Sequence, residues 1–129
     1  IRNMAKSFHE LKIWQKGYEL LMKVYDITAK YPAEERYALI SDIRRSANSV
    51  IANIAESHGR YYFADKVRVL YTARGEAEET RSHLWVSLGR NYISKGDFEY
   101  LDKNYEGLAK GISTYIQRIM VQKSNSPIR

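Results

Sequence analysis

Apolar residues recur along this chain at alternating spacings of three and four, the period at which one face of an α-helix meets a core. In the first segment Leu11, Trp14, Tyr18, Leu21, Tyr25 and Thr28 form such a stripe, widened by Leu20, Val24 and Ile27, and predict a helix over about 8–30. Tyr31-Pro32 ends it, because the residue before proline is pushed out of helical geometry and proline lacks the N–H that continues the ladder. The pattern restarts near Glu34 and Glu35, two carboxylates suited to the positive end of a helix dipole. Ile40, Ile43, Ala47, Val50 and Ile54, supported by Ile51 and Ala55, predict a second helix over about 36–58 that stops at Gly59. Leu70, Ala73, Ala77, Thr80, Leu84 and Leu88, with Val67, Trp85 and Tyr92 beside them, predict the longest helix, over about 64–94. Gly75 in its middle costs roughly 1 kcal/mol relative to alanine, which points to close approach by another helix. Lys95-Gly96-Asp97 reads as the next turn. Phe98, Leu101, Tyr105, Leu108, Ile112, Tyr115 and Ile119 then predict a fourth helix over about 98–122, with 123–129 frayed.

Four long helices joined by short connections place sequential neighbours antiparallel. The expected fold is therefore all-α, an antiparallel up-down-up-down four-helix bundle forming a single domain over residues 1–129. On the second helix, Arg45, Ser49, Ala52, Asn53 and Glu56 form a strip of small and hydrogen-bonding residues away from the core stripe, where a solvated face would carry Lys and Glu.

Composition narrows the chemistry. With no cysteine, the chain forms no disulfide, iron–sulfur cluster or thiolate zinc site. No apolar run reaches the roughly 18 residues of a membrane span, and the polar start has no signal-peptide pattern, so a cytoplasmic protein is expected, with no membrane partner. Ile1, Arg2 and Asn3 stand before Met4, a candidate natural start. The net charge of +6 and pI of about 9.5 favour anionic partners, and serve equally well for solubility alone.

Catalytic and metal arrangements fail on spacing. A di-iron bundle needs two Glu-x-x-His motifs, and this chain has three histidines, His9, His58 and His83, of which only His83 has a glutamate, Glu79, one turn before it. His58 with Glu56 is two residues apart and on different faces. Ser57 beside His58 and Ser82 beside His83 are sequence neighbours rather than dyads. Glu76, Glu78 and Glu79 lie among Lys66, Arg68, Arg74, Arg81 and Arg90, which suggests ion pairing rather than cation binding or acid–base work. No phosphate-binding glycine loop is present. The expectation is a non-enzymatic protein without a cofactor. A nucleic-acid surface would draw on Arg44, Arg60, Arg68, Arg81 and Arg90, with Tyr61 and Tyr62 for stacking, although these arginines do not share one helical stripe.

Several runs carry a resemblance. Trp14-Gln15-Lys16, Tyr31-Pro32 followed by Glu35 and Tyr37, Ile43-Arg44-Arg45-Ser46-Ala47, Ser49-Val50 and Asn53-Ile54-Ala55-Glu56 with Gly59-Arg60 resemble the four-helix bundle family also called the 23S ribosomal RNA intervening-sequence protein family. Asp65, Arg74-Gly75 and the Glu78 region continue it, and the likeness spans about Phe8 to Met120. The chain departs from the family pattern at Ser57-His58, where Gly usually follows the glutamate, and at Glu76, where Ser usually follows the glycine. The resemblance implies a bacterial protein encoded within ribosomal RNA genes and an antiparallel bundle assembling as a homopentameric ring. It also implies a likeness in fold to the accessory protein of diversity-generating retroelements, a basic protein that partners a reverse transcriptase and nucleic acid. No enzymatic activity is established for the family. Arg45, Ser49, Asn53 and Glu56, with Arg74 and Glu78, are then expected to form an internal or intersubunit hydrogen-bond network. Two functions remain open: a nucleic-acid-binding adaptor, alone or with a nucleic-acid-processing protein, and a protein-interaction scaffold.

Overall fold

The computed structural model describes residues 5–127, and the candidate start at Met4 and the end of the predicted frayed tail lie outside them. Four helices, α1 (Lys12–Thr28), α2 (Leu39–Gly59), α3 (Phe63–Gly89) and α4 (Lys95–Ser124), form the bundle. Each packs on its neighbours in sequence, and α1 meets α4 to close the circuit. This is the up-down-up-down arrangement that short connections dictate.

The core follows the predicted stripes with one rotation. On α2, α3 and α4 the buried positions include Ile43, Ala47, Val50 and Ile54, then Leu70, Ala73, Ala77 and Leu84, then Leu101, Tyr105, Leu108 and Ile112. On α1 the buried face is centred on Gly17, Leu20, Leu21, Val24 and Thr28, while Tyr18 and Tyr25 stand exposed at its edge. A tyrosine at a stripe margin buries its ring edge and keeps its hydroxyl in water, so it marks the boundary of the face rather than its centre. Small residues let α2 and α3 close tightly: Ala47, Ala73 and Ala77 are fully buried, and the Ser46 and Thr80 hydroxyls meet across the interface at 2.8 Å.

Element ends differ from the periodic reading where capping chemistry intervenes. Phe8–Glu10 forms a separate 3-10 turn, with Leu11 in extended geometry before α1 begins. Gln15 fixes this turn by donating from Nε2 to the His9 carbonyl at 2.9 Å. After Pro32 the chain makes a second 3-10 turn, Ala33–Glu35, and α2 starts only at Leu39. There Glu35 Oε1 accepts the Leu39 N–H at 3.3 Å, and its Oε2 accepts the Tyr92 hydroxyl at 2.9 Å, so Glu35 ties the start of α2 to the α3–α4 connection.

The predicted turn at Lys95-Gly96-Asp97 is instead the first turn of α4, because Ser94 caps it by accepting the Asp97 N–H at 3.1 Å. The chain reverses earlier, at Asn91, which has φ 62°. Asn91 donates to the Leu88 carbonyl and Tyr92 to the Ser87 carbonyl, both at 3.0 Å, a Schellman motif that closes α3. Helix α4 runs on to Ser124, two residues beyond the predicted end. The expected close neighbour of Gly75 is absent within the chain, since a Cβ there meets nothing within 4 Å. Gly17 is the packing glycine, with Ile51 Cγ2 only 2.5 Å from where its Cβ would stand.

Candidate anion-binding groove

The outer seam between α1 and α4 gathers cations. Lys12 and Lys16 lie one turn apart on the same face of α1. On α4, Lys103, Gly107 and Gly111 recur every fourth residue, and Arg118 continues that side two turns on. The glycines remove side chains from the groove floor: Ile13 Cγ2 lies 3.4 Å from a Cβ built on Gly111, and the space above Gly107 is open. The resulting groove has a volume of about 660 Å³ and is lined by Lys12, Lys16, Lys103 and Asn104 above an Ile13 and Leu108 base.

Lys12, Ile13 and Gly111 also line an adjoining cavity of about 880 Å³ at the end of the bundle, where Phe63, Lys66, Tyr115 and Arg118 contribute walls. The lone carboxylate lining either space is Glu10, whose Oε1 accepts the Lys6 backbone N–H at 3.0 Å. Among the described residues, Lys12, Lys16, Lys103 and Arg118 form no ion pair. Lys66 is different: it donates to the Ser57 and His58 carbonyls at 3.3 and 3.2 Å, capping α2, and burial pushes its ammonium pKa down. Burial pushes the Tyr115 phenol up, against the opposing pull of Arg118.

The five candidate arginines are dispersed and largely engaged. Arg44 closes the end of α1, donating to Thr28 Oγ1 at 2.8 Å and to the Tyr25 carbonyl at 3.3 Å while lying over the Tyr25 ring. Arg81 bridges α3 to α4 through Asp102 at 2.9 Å and also pairs with Glu78 at 3.1 Å. Arg60 pairs with Glu56, and Arg68 approaches Asp65 at 3.9 Å. Arg90 sits over Tyr92, and Tyr61 and Tyr62 pair edge to face on the exposed α2–α3 connection.

The six family-motif residues do not meet in one network within the chain. Arg45 pairs with Glu79 and lies 3.8 Å from Glu76. Asn53 donates to the Ser49 carbonyl at 2.8 Å within its own helix, and Arg74 reaches Ser113 on α4 at 3.0 Å. Glu56 and Glu78 are held by Arg60 and Arg81. The Glu76 and Glu79 carboxylates thus face α2 rather than the α3 arginines. The hydrogen bond from Arg45 holds the Glu79 carboxyl below its ordinary range, whereas burial, reinforced by Glu79, raises that of Glu76. His83 lies 3.4 Å from Glu79, and the Ser57 hydroxyl donates to the Ile54 carbonyl, away from any role beside His58. Among the described residues, no group of three or more His, Asp or Glu side chains is placed to hold a metal ion.

The groove lysines, and Arg118 in the adjoining cavity, escaped the sequence reading because they come from opposite ends of the chain and no single helix brings them together. The i, i+4 spacing of Lys12 and Lys16 and the Gly107–Gly111 pair were the available signals.

These features define a class: a small helical bundle whose surface holds an unpaired cationic groove. The chain belongs to the 23S rRNA-intervening sequence protein family, whose model matches residues 9–114. A crystal structure of a protein of unknown function from Bacteroides thetaiotaomicron, assigned to the S23 ribosomal protein family, is similar in fold, with a TM-score of 0.75 and 24% identity. The match covers 81% of this chain and 95% of that one. No curated protein matches this sequence. Among the described residues no helix is long and apolar enough to cross a membrane.

Proposed function

We propose that this chain is a non-enzymatic, nucleic-acid-associated adaptor that binds phosphate backbone along the α1/α4 groove and assembles as a homo-oligomer, with RNA or DNA as its anionic partner. The observation that carries the reading is the set Lys12, Lys16 and Lys103, three cations lining one groove, with Arg118 in the adjoining cavity, none of them ion-paired among the described residues. Unpaired cations keep their attraction for an external anion, whereas arginines such as Arg81 already spend theirs inside the fold. Self-association finds support on another face. Tyr18, Met22 and Tyr25 are exposed along α1, and Asn48 and Ala52 put short, exposed side chains on the outer side of α2. The apolar stripe on α1 also favours the second reading, a protein-interaction scaffold.

Light scattering combined with binding of a labelled RNA stem–loop across a salt series tests both. A mass near five times the 15.1 kDa chain, with affinity falling as salt rises, is the expected result. For single-stranded contacts, replacing Lys12, Lys16 and Lys103 by glutamine should flatten the slope of log K against log salt by about 2. An oligomer indifferent to RNA would leave the scaffold reading; a monomer would remove the ring.

A further inference from the structure

The cavity at the bundle end carries chemistry that phosphate binding leaves unused. Phe63 from the start of α3 and Tyr115 from α4 line it, both partly buried, and neither ring pairs with another ring among the described residues. Leu11 and Ile119 complete the apolar wall, and Gln122 adds an amide that both donates and accepts. Its volume of about 880 Å³ suits an organic ligand rather than a bare anion. Lys12, Ile13 and Gly111 line both spaces, so the groove and the cavity adjoin, and a strand lying in the groove passes beside the cavity.

We propose that this cavity receives an unpaired nucleotide, its base against Phe63 and Tyr115 and its phosphate on Lys12 and Arg118. The proposal rests on the groove reading and extends it from phosphate binding to a substrate class, nucleic acid with exposed bases. Aromatic rings stack on any base face, but a base in a duplex has both faces covered and lies inside the phosphate cylinder. A single strand can turn one base inward while its backbone follows the lysines. A free mononucleotide presents the same base and phosphate and is the other source of this chemistry.

The test compares a short labelled single-stranded RNA with a blunt duplex of the same sequence by fluorescence anisotropy, using the full chain. The single strand is expected to bind about tenfold more tightly. The double variant Phe63→Leu/Tyr115→Leu keeps apolar bulk and should erase this preference while leaving duplex affinity unchanged, with circular dichroism checking the fold. Saturation transfer from the wild-type protein to the base protons of AMP reads the cavity without any variant. Transfer to AMP that is displaced by the single strand but not by the duplex supports the strand as occupant. Transfer to AMP with no RNA binding supports the cavity with free nucleotide as occupant and overturns the groove reading. Equal affinity for strand and duplex without transfer to AMP overturns the cavity proposal and leaves the groove intact, as does a preference that survives in the folded double variant.

Discussion

Gly17 and Gly75 are both helical glycines, yet they have opposite uses. A methyl group at Gly17 would collide with Ile51 Cγ2, a β-branched atom with little rotamer freedom, and would also touch Leu108 at 3.4 Å. Gly17→Ala should therefore destabilise the protein by about 1–3 kcal/mol despite the better helix propensity of alanine, as measured by urea unfolding. Gly75 is exposed and its surroundings are open, so Gly75→Ala should stabilise by up to about 1 kcal/mol in the same measurement. A loss of oligomer mass in that variant would instead place Gly75 at a subunit contact. Glu76 makes a pH-dependent case. Its carboxyl is raised on folding, so its charged form weakens the native state above that pKa, and the penalty vanishes below the ordinary value of 4.5, where both states are protonated. Glu76→Gln should gain a few tenths of a kcal/mol at pH 7 and nothing in acid, since its 3.8 Å approach to the exposed Arg45 contributes little. Thermal melts at the two pH values check this.

At the scale of elements, the α2–α3 interface depends on smallness. Ala77 is fully buried one turn before Thr80, whose hydroxyl meets Ser46 across the interface, so Ala77→Leu should overpack the core and cost about 1–3 kcal/mol, visible as a lower denaturant midpoint. The stripe through Ala73, Ala77 and Thr80 was legible in the sequence because its period alone places it inward. The turns were less legible, for reasons that capping chemistry supplies. Glycine at 96 attracted the prediction of a turn, while the asparagine at 91 took the left-handed position and Ser94 opened the next helix. Likewise the tyrosines of α1 counted as apolar in the pattern although their hydroxyls belong in water. Periodicity identifies a face; side-chain hydrogen bonds decide where the element stops.

For the whole molecule, the bundle was legible and the groove was not. Helix faces follow from residues near each other in sequence, whereas the groove needs Lys12 and Lys16 beside Lys103 and Arg118, a juxtaposition that only the closed circuit of helices creates. The same closure diverted the arginines, whose partners Asp102 and Thr28 come from other helices. Arg44→Gln should accordingly lower the melting temperature by a few degrees, through loss of the α1 end contacts, without changing RNA affinity; weakened binding at unchanged stability would return Arg44 to the interface.

The brevity of α1 has a dynamic consequence. It is the shortest of the four helices, it is separated from α2 by a connection that holds the Ala33–Glu35 turn rather than a tight reversal, and its contact with α4 is slighter than those α3 makes with α2 and α4. Its amides should therefore exchange with deuterium sooner than those of α3, through partial openings in which the other three helices stay docked. Since α1 forms one wall of the groove, each such opening dismantles the site, and an occupant must hold the helix shut. Slower exchange confined to Lys12–Thr28 on adding RNA would reveal the bound face without any substitution at all.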